Sequence, residues 1–261
     1  MTPKTSGNSY ELGQIVSHSK GKGQPPVLLL HGWGSDPQAL SVIAQPLSAH
    51  RRVISLALPG FGGSPEPPES WGTWDYVEML IQWMDSQDLK RVDIIAHSFG
   101  GRVTIGLASR YPERVNRIVL MGSAGLVLPR SLRTRTRIVL ARALRNAGKI
   151  GGAGVEKWME AKRQRMGSVD WQAASAVMRQ TLSRVINEDF STELTQINSP
   201  SLLIWGENDA AVPPAIGRKM ADLIPDSEFL LLKNAGHYCF LDRKGETVSA
   251  IWRHLELPKV W

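Results

Sequence analysis

Residues 92–111 read Val92-Asp93-Ile94-Ile95-Ala96, then His97-Ser98-Phe99-Gly100-Gly101, then Arg102 onward to Tyr111. The run Val92 to Ala96 has the length and β-branched content of a buried strand. Residues 103–111 are helical in pattern, and almost no linker separates the two. So abrupt a turn forces one residue into a strained backbone conformation at its tip. It also demands small neighbours, because a Cβ there would collide with the crossing chain. Ala96, Gly100 and Gly101 are those neighbours, and Ser98 is the tip. Its hydroxyl is expected above a sheet, at the positive end of a helix, where backbone N–H groups can meet a developing oxyanion.

Outward from this stretch, strands and helices alternate. An early strand is expected at 14–19. The apolar run 27–30 ends in His31-Gly32-Trp33-Gly34, a glycine-rich loop where α/β sheets place ligand-binding backbone groups. A strand at 53–58 leads into Pro59-Gly60-Phe61-Gly62-Gly63-Ser64. A helix at 73–85 gathers Trp74, Val77, Leu80, Ile81 and Met84 on one face. Strands follow at 115–120, 201–205 and 228–232, the last two ending in Gly206-Glu207-Asn208-Asp209 and Lys233-Asn234-Ala235-Gly236-His237. Helices are expected at 215–223 and 245–255. This alternation predicts a mostly parallel, doubly wound sheet with helices on both faces.

Ser98, Asp209 and His237 therefore all fall just past the C-terminal ends of predicted parallel strands, the edge along which open α/β sheets bind ligands. A serine hydroxyl needs an adjacent base to be a nucleophile at neutral pH. The small-x-Ser-x-Gly turn (Ala96 replacing the usual first glycine), the His31-Gly32-Trp33-Gly34 loop and the order Ser98…Asp209…His237 together resemble the α/β-hydrolase superfamily. The resemblance spans nearly the whole chain. It implies the α/β-hydrolase fold, with Ser98 as nucleophile, His237 as base and Asp209 orienting the imidazole. The backbone N–H groups of Trp33 and Phe99 would form the oxyanion hole. The chain departs from the family at Ala57, where aspartate is common, so a buried polar contact there must be absent or replaced. His31 is expected only to pin its own loop. Glu207 and Asp226 are rival acids, the first on the same loop as Asp209, the second at the wrong end of the sheet. The His97 side chain is expected to point away from the elbow, and Cys239 to be a buried structural thiol.

Between 126 and 190 only helical patterns occur, broken by Gly148, Gly151 to Gly154 and Gly167. An insertion at this point resembles the family's helical cap, which divides the chain into a core (1–125 and 191–261) and a mobile cap (126–190) whose apolar face forms the acyl pocket. The chain has 261 residues and a formal charge of +7, and the cap segment holds the whole basic excess, with 13 Lys/Arg against 5 Asp/Glu. Residues 132–146 set Leu132, Val139 and Leu140 on one face and Arg135, Arg142 and Arg145 on the other. The arginines are read as a solvated face, with anionic substrates or an anionic membrane surface as rival partners. No motif for nucleic acid accompanies them.

No apolar run is long enough to span a membrane, and the first nine residues, expected to be a loose tail, lack the apolar stretch of a secretory signal. With a single cysteine, these features lead to the expectation of a cytoplasmic protein without stable membrane insertion. No metal-ligand spacing or cofactor fingerprint occurs, so neither a metal nor a cofactor is expected. The expected activity is hydrolysis of a small carboxylic ester through an acyl-enzyme. Carbon–carbon bond hydrolysis, thioester hydrolysis and a receptor with vestigial turnover are the alternatives.

Overall fold

The computed structural model describes residues 11–127 and 174–258. Side chains alternate across each central strand, and both faces are buried. On β2 (Val27–Leu30), Leu28 and Leu30 enter one core while Val27 and Leu29 enter the other. On β4 (Val92–His97), Ile94 and Ala96 face the first core and Ile95 the second. Burial on both faces explains why these strands read as continuous apolar runs. The remaining strands are β1 (Ser17–Lys20), β3 (Val53–Leu56), β5 (Val115–Met121), β6 (Ser201–Gly206) and β7 (Ser227–Leu232).

Together they form one seven-stranded sheet in the order β1-β3-β2-β4-β5-β6-β7, parallel except for β1. The chain winds outward from β2 to β3, then crosses back to place β4 on the other side of β2, with Leu30 beside Ala96. The order reverses there, so the crevice between the ends of β2 and β4 is the topological switch point.

The described helices are α1 (Ser41–Leu47), α2 (Thr73–Ser86), α3 (Phe99–Arg110), α4 (Ala176–Val185), α5 (Ser191–Leu194), α6 (Pro214–Leu223), α7 (Cys239–Asp242) and α8 (Lys244–His254). Helices α2, α3 and α6 cover the first core, and α1 and α8 the second. Three of these have no counterpart in the sequence analysis: Pro46 lies inside α1, while α5 and α7 have four residues each, too few to set a period. The early strand also shifts. Leu12–Gln14 is a 3₁₀ turn, and β1 is a wholly exposed edge strand with no buried face to mark it. At Ala57 the polar contact is replaced, since the Ser64 hydroxyl donates to the Ala57 carbonyl at 2.8 Å and accepts from the Val16 N–H at 2.9 Å.

The residue 1–9 tail, the amphipathic 132–146 segment with its arginines, and the glycine breaks at 148, 151–154 and 167 lie outside the described residues. The returning end of the expected cap is described. There α4 and the turn after it dock on the start of α2: Thr181 Oγ1 accepts from the Trp71 N–H at 3.0 Å, and the Glu188 carboxylate accepts from the N–H of Thr73, the first residue of α2, at 3.0 Å. The Asp189 carboxylate accepts from both Val127 N–H (2.8 Å) and Ser191 N–H (3.0 Å), tying together the two ends of the segment.

Asp93 is one of four described residues whose buried side chains keep an atom without a hydrogen-bond partner, the others being Thr73, Thr247 and His254. Asp93 on β4 is buried; Asn116 donates to its Oδ1 at 2.7 Å, Arg51 stands 3.8 Å from Oδ2, and Oδ2 accepts no hydrogen bond. Burial pushes its carboxyl above the usual value, and Asn116 and Arg51 only partly oppose this. With the folded pKa raised, the folded chain holds more protons than the unfolded one across that window, so stability falls as pH rises through it. Asp93→Asn cannot ionise. Its Tm relative to wild type should climb between about pH 3.5 and pH 7, starting near the reference carboxyl value. A flat difference over that range would mean that Asn116, Arg51 and Arg117 balance desolvation, and a declining one that they outweigh it.

Candidate active site

β4 ends at His97 and α3 begins at Phe99, so Ser98 alone makes the turn, at φ 50° and ψ −110°. Three elements hold it there. Its N–H donates to the Met121 carbonyl at 3.0 Å, its carbonyl accepts from the Ala124 N–H at 3.0 Å, and the Gly100 N–H donates to the His31 carbonyl at 3.1 Å. A Cβ at Gly100 would strike the Leu30 carbonyl and lie 2.8 Å from that of His31. Ser98 remains partly exposed while both its neighbours are buried.

Phe99 is the first residue of α3, where an N–H has no intrahelical acceptor. Among the described residues, neither its N–H nor that of Trp33 donates to a protein acceptor. Their side chains meet edge to face at 5.2 Å, and Trp33 also packs on Phe61 at 4.8 Å. His31 braces this loop. The Leu58 N–H donates to its Nε2 at 3.0 Å, so Nδ1 carries the proton and donates to the Gly32 carbonyl at 2.7 Å. Burial holds its pKa below the ordinary histidine value.

Asp209, past the end of β6, and His237, past the end of β7, come together. His237 Nδ1 donates to Asp209 Oδ2 at 2.8 Å, and the Asp209 side chain is fully buried. Asp209 Oδ1 accepts from Ala211 N–H (2.9 Å) and Val212 N–H (2.8 Å), so both carboxylate oxygens are occupied. β5 lies between these strands and β4, and Gly122, at φ 48°, follows its last residue. A Cβ there would stand 3.1 Å from both Asp209 Oδ2 and His237 Nδ1. The pair thus lies over a residue with no side chain, directly after the Met121 carbonyl that receives the Ser98 N–H. Gly122 escaped the sequence reading because nothing in its immediate neighbours marks it.

The rival acids are placed elsewhere. Glu207 is exposed and accepts from the Asn234 N–H at 3.1 Å, which pins the loop that carries His237. Asp226 is exposed at the opposite sheet edge, where its carbonyl accepts from Ser201 N–H. Cys239 is a buried free thiol, pushed up to about 12 by burial and by nearby Asp209. His97 is a correction, because its ring does not point away from the site. It lies buried against the His237 ring, 4.6 Å between centroids. The segment after β7 folds back over the end of β4 and brings the two rings together.

A family model described as the alpha/beta hydrolase fold matches residues 25–244. The chain is 28% identical to a 2-hydroxy-6-oxo-6-(2'-aminophenyl)hexa-2,4-dienoic acid hydrolase of Metapseudomonas resinovorans, over 88% of this chain and 83% of that one. It is also 28% identical to a pimeloyl-(acyl-carrier protein) methyl ester esterase of Aromatoleum aromaticum, over 84% and 93%. A third relative, the dihydrolipoyllysine-residue acetyltransferase component of the acetoin cleaving system of Pseudomonas putida, is 28% identical over 87% of this chain, which spans only 60% of that protein. Among solved structures, a meta-cleavage product hydrolase from Pseudomonas fluorescens shares the fold with a TM-score of 0.70, at 23% identity over 93% of this chain and 94% of that one.

The elbow geometry carries its own prediction. Gly100→Ala must push α3 away from the β2 carbonyls, which should cost about 1–3 kcal/mol, as overpacking does. Differential scanning calorimetry should show Tm lower by several degrees, at roughly 2–4 °C per kcal/mol. An unchanged Tm would mean that the close approach at Gly100 is not a constraint.

Proposed function

The chain belongs to the alpha/beta hydrolase fold family, and we propose that it is a serine hydrolase that cleaves carboxylic esters through an acyl-enzyme. The observation that carries this reading is the 2.8 Å hydrogen bond from His237 Nδ1 to buried Asp209, which leaves Nε2 as the acceptor. In the proposed reaction Ser98 Oγ attacks the ester carbonyl while His237 Nε2 takes its proton. The carbonyl oxygen becomes an oxyanion facing the N–H groups of Trp33 and Phe99. Collapse expels the alcohol, which receives the proton from His237. Water then attacks the acyl-enzyme by the same route, releasing the acid and restoring Ser98. Asp209 keeps the imidazole in one tautomer and stabilises the imidazolium. The cap, 126–190, is proposed to close the acyl pocket over Ser98.

Two relatives pull in different directions. The similarity to the pimeloyl-(acyl-carrier protein) methyl ester esterase supports ester cleavage. The similarity to the 2-hydroxy-6-oxo-6-(2'-aminophenyl)hexa-2,4-dienoic acid hydrolase supports a second reading, hydrolysis of a carbon–carbon bond by the same nucleophile. Ester hydrolysis is preferred because Tyr238 follows His237, where carbon–carbon hydrolases tend to carry tryptophan. Parallel kcat/KM measurements on p-nitrophenyl acyl esters and on a 2-hydroxy-6-oxo-dienoate separate the two. The ester reading fails if only the dienoate turns over.

Ser98→Ala should lower kcat on the ester by roughly 10³-fold or more, the oxyanion hole remaining in place. Near-full activity in that variant would remove Ser98 from the mechanism. Activity should also fall on acidification, since a protonated His237 accepts no proton. His97, held at about 3, and His31, held below the ordinary value, are neutral through the working range. A pH–rate profile that rises toward acid would contradict a histidine base.

A further inference from the structure

His97 is used by none of the steps above, yet it is among the most tightly engaged side chains at the site. It is 2% exposed, and its Nε2 lies 3.1 Å from the His237 carbonyl oxygen. A carbonyl only accepts, so Nε2 carries the proton. Its ring packs on the rings of His237 (4.6 Å), Tyr238 (5.0 Å) and Phe240 (5.1 Å), three residues of the segment that follows β7. On its other side the backbone of Gly32 approaches so closely that a Cβ there would be 2.9 Å from His97 Nδ1 and 3.3 Å from Ser98 Cβ. One side chain, covalently next to the nucleophile, thus touches both the oxyanion loop and the segment that holds the base.

We propose that His97 is a positioning residue for His237: its Nε2–H fixes the His237 backbone, and its uncharged ring backs the imidazole. This rests on the reading of His237 as the general base. An aliphatic residue would pack in the same space but leave the His237 carbonyl without its donor, and a buried acceptor left unmatched is costly. Charge matters as well. The ionisable groups that act on His97 are His237 and Asp209 from the loops after β7 and β6, and His31 from the loop after β2. A positive His97 would oppose the imidazolium that forms on His237 during attack, at a separation where unit charges interact strongly in a buried site. Burial, followed by the proximity of His237, holds His97 at about 3 and prevents that.

The test joins kinetics to spectroscopy on the full chain. In ¹⁵N-histidine spectra, His97 should remain neutral and protonated at Nε2 from pH 5 to pH 9. Titration within that range, or the Nδ1–H tautomer, would overturn the proposal. His97→Met keeps the volume and removes the donor, whereas His97→Gln keeps a donor at the same reach. With p-nitrophenyl butyrate, His97→Met should lose about tenfold in kcat, with KM within about twofold of wild type and Tm little changed, and His97→Gln should recover most of that loss. Wild-type kcat in His97→Met, or equal losses in both variants with Tm falling in step, would overturn it. If His97→Met does not fold, His97→Gln and the spectra still decide. His237→Ala is the control. An inactive His237→Ala beside fully active His97 variants defeats this inference alone, whereas an active His237→Ala defeats the reading of the base as well.

Discussion

The site depends on the backbone of Ser98. A non-glycine residue at φ 50° and ψ −110° is unfavourable by about 1–3 kcal/mol and persists only where its surroundings over-determine it. Here they do. The Ser98 peptide is hydrogen-bonded to Met121 and Ala124 across β5, while Gly100 is bonded to His31 across β2. Because both neighbouring strands grip the turn, the hydroxyl is presented in one direction, and the Phe99 N–H is left at the free end of α3. Glycine at 32 and 100 follows from this, since a Cβ at either would press on His97 and Ser98 or strike the Leu30 carbonyl, while a Cβ at Gly122 would crowd Asp209 and His237.

The sheet order turns this local constraint into a site. β2 and β4 are adjacent only because the chain reverses at the switch point, and that adjacency brings the Trp33 loop beside Ser98. Asp209 and His237 come from two further strands and lie over the end of β5, where Gly122 leaves room. His237 is held from several sides: Asp209 at Nδ1, His97 at the carbonyl, and, within its own segment, Asp242 accepting from the Gly236 N–H at 2.7 Å.

Most of the central sheet was legible because its strands are buried on both faces and end in turn residues, as at 27–30 and 201–205. The elbow was legible because an abrupt strand-to-helix turn restricts which residues can occupy it. Less legible were features that depend on distant segments. His97 meets a carbonyl 140 positions away, and Gly122 matters only because two other loops converge on it. Asp93 was hidden within an apolar run, and β1, exposed on the sheet edge, carries no burial pattern at all. α1 is short and contains Pro46, and a proline inside a short segment reads as a breaker.

On the proposed reading, this backbone makes Ser98, and no other residue, the nucleophile. The most direct test is to treat the full chain with a fluorophosphonate and map the adduct by peptide mass spectrometry. A single adduct on Ser98, formed in the native protein and lost after acid unfolding before treatment, is the predicted result. An adduct on another serine or on Cys239, or equal labelling of native and unfolded chains, would contradict it.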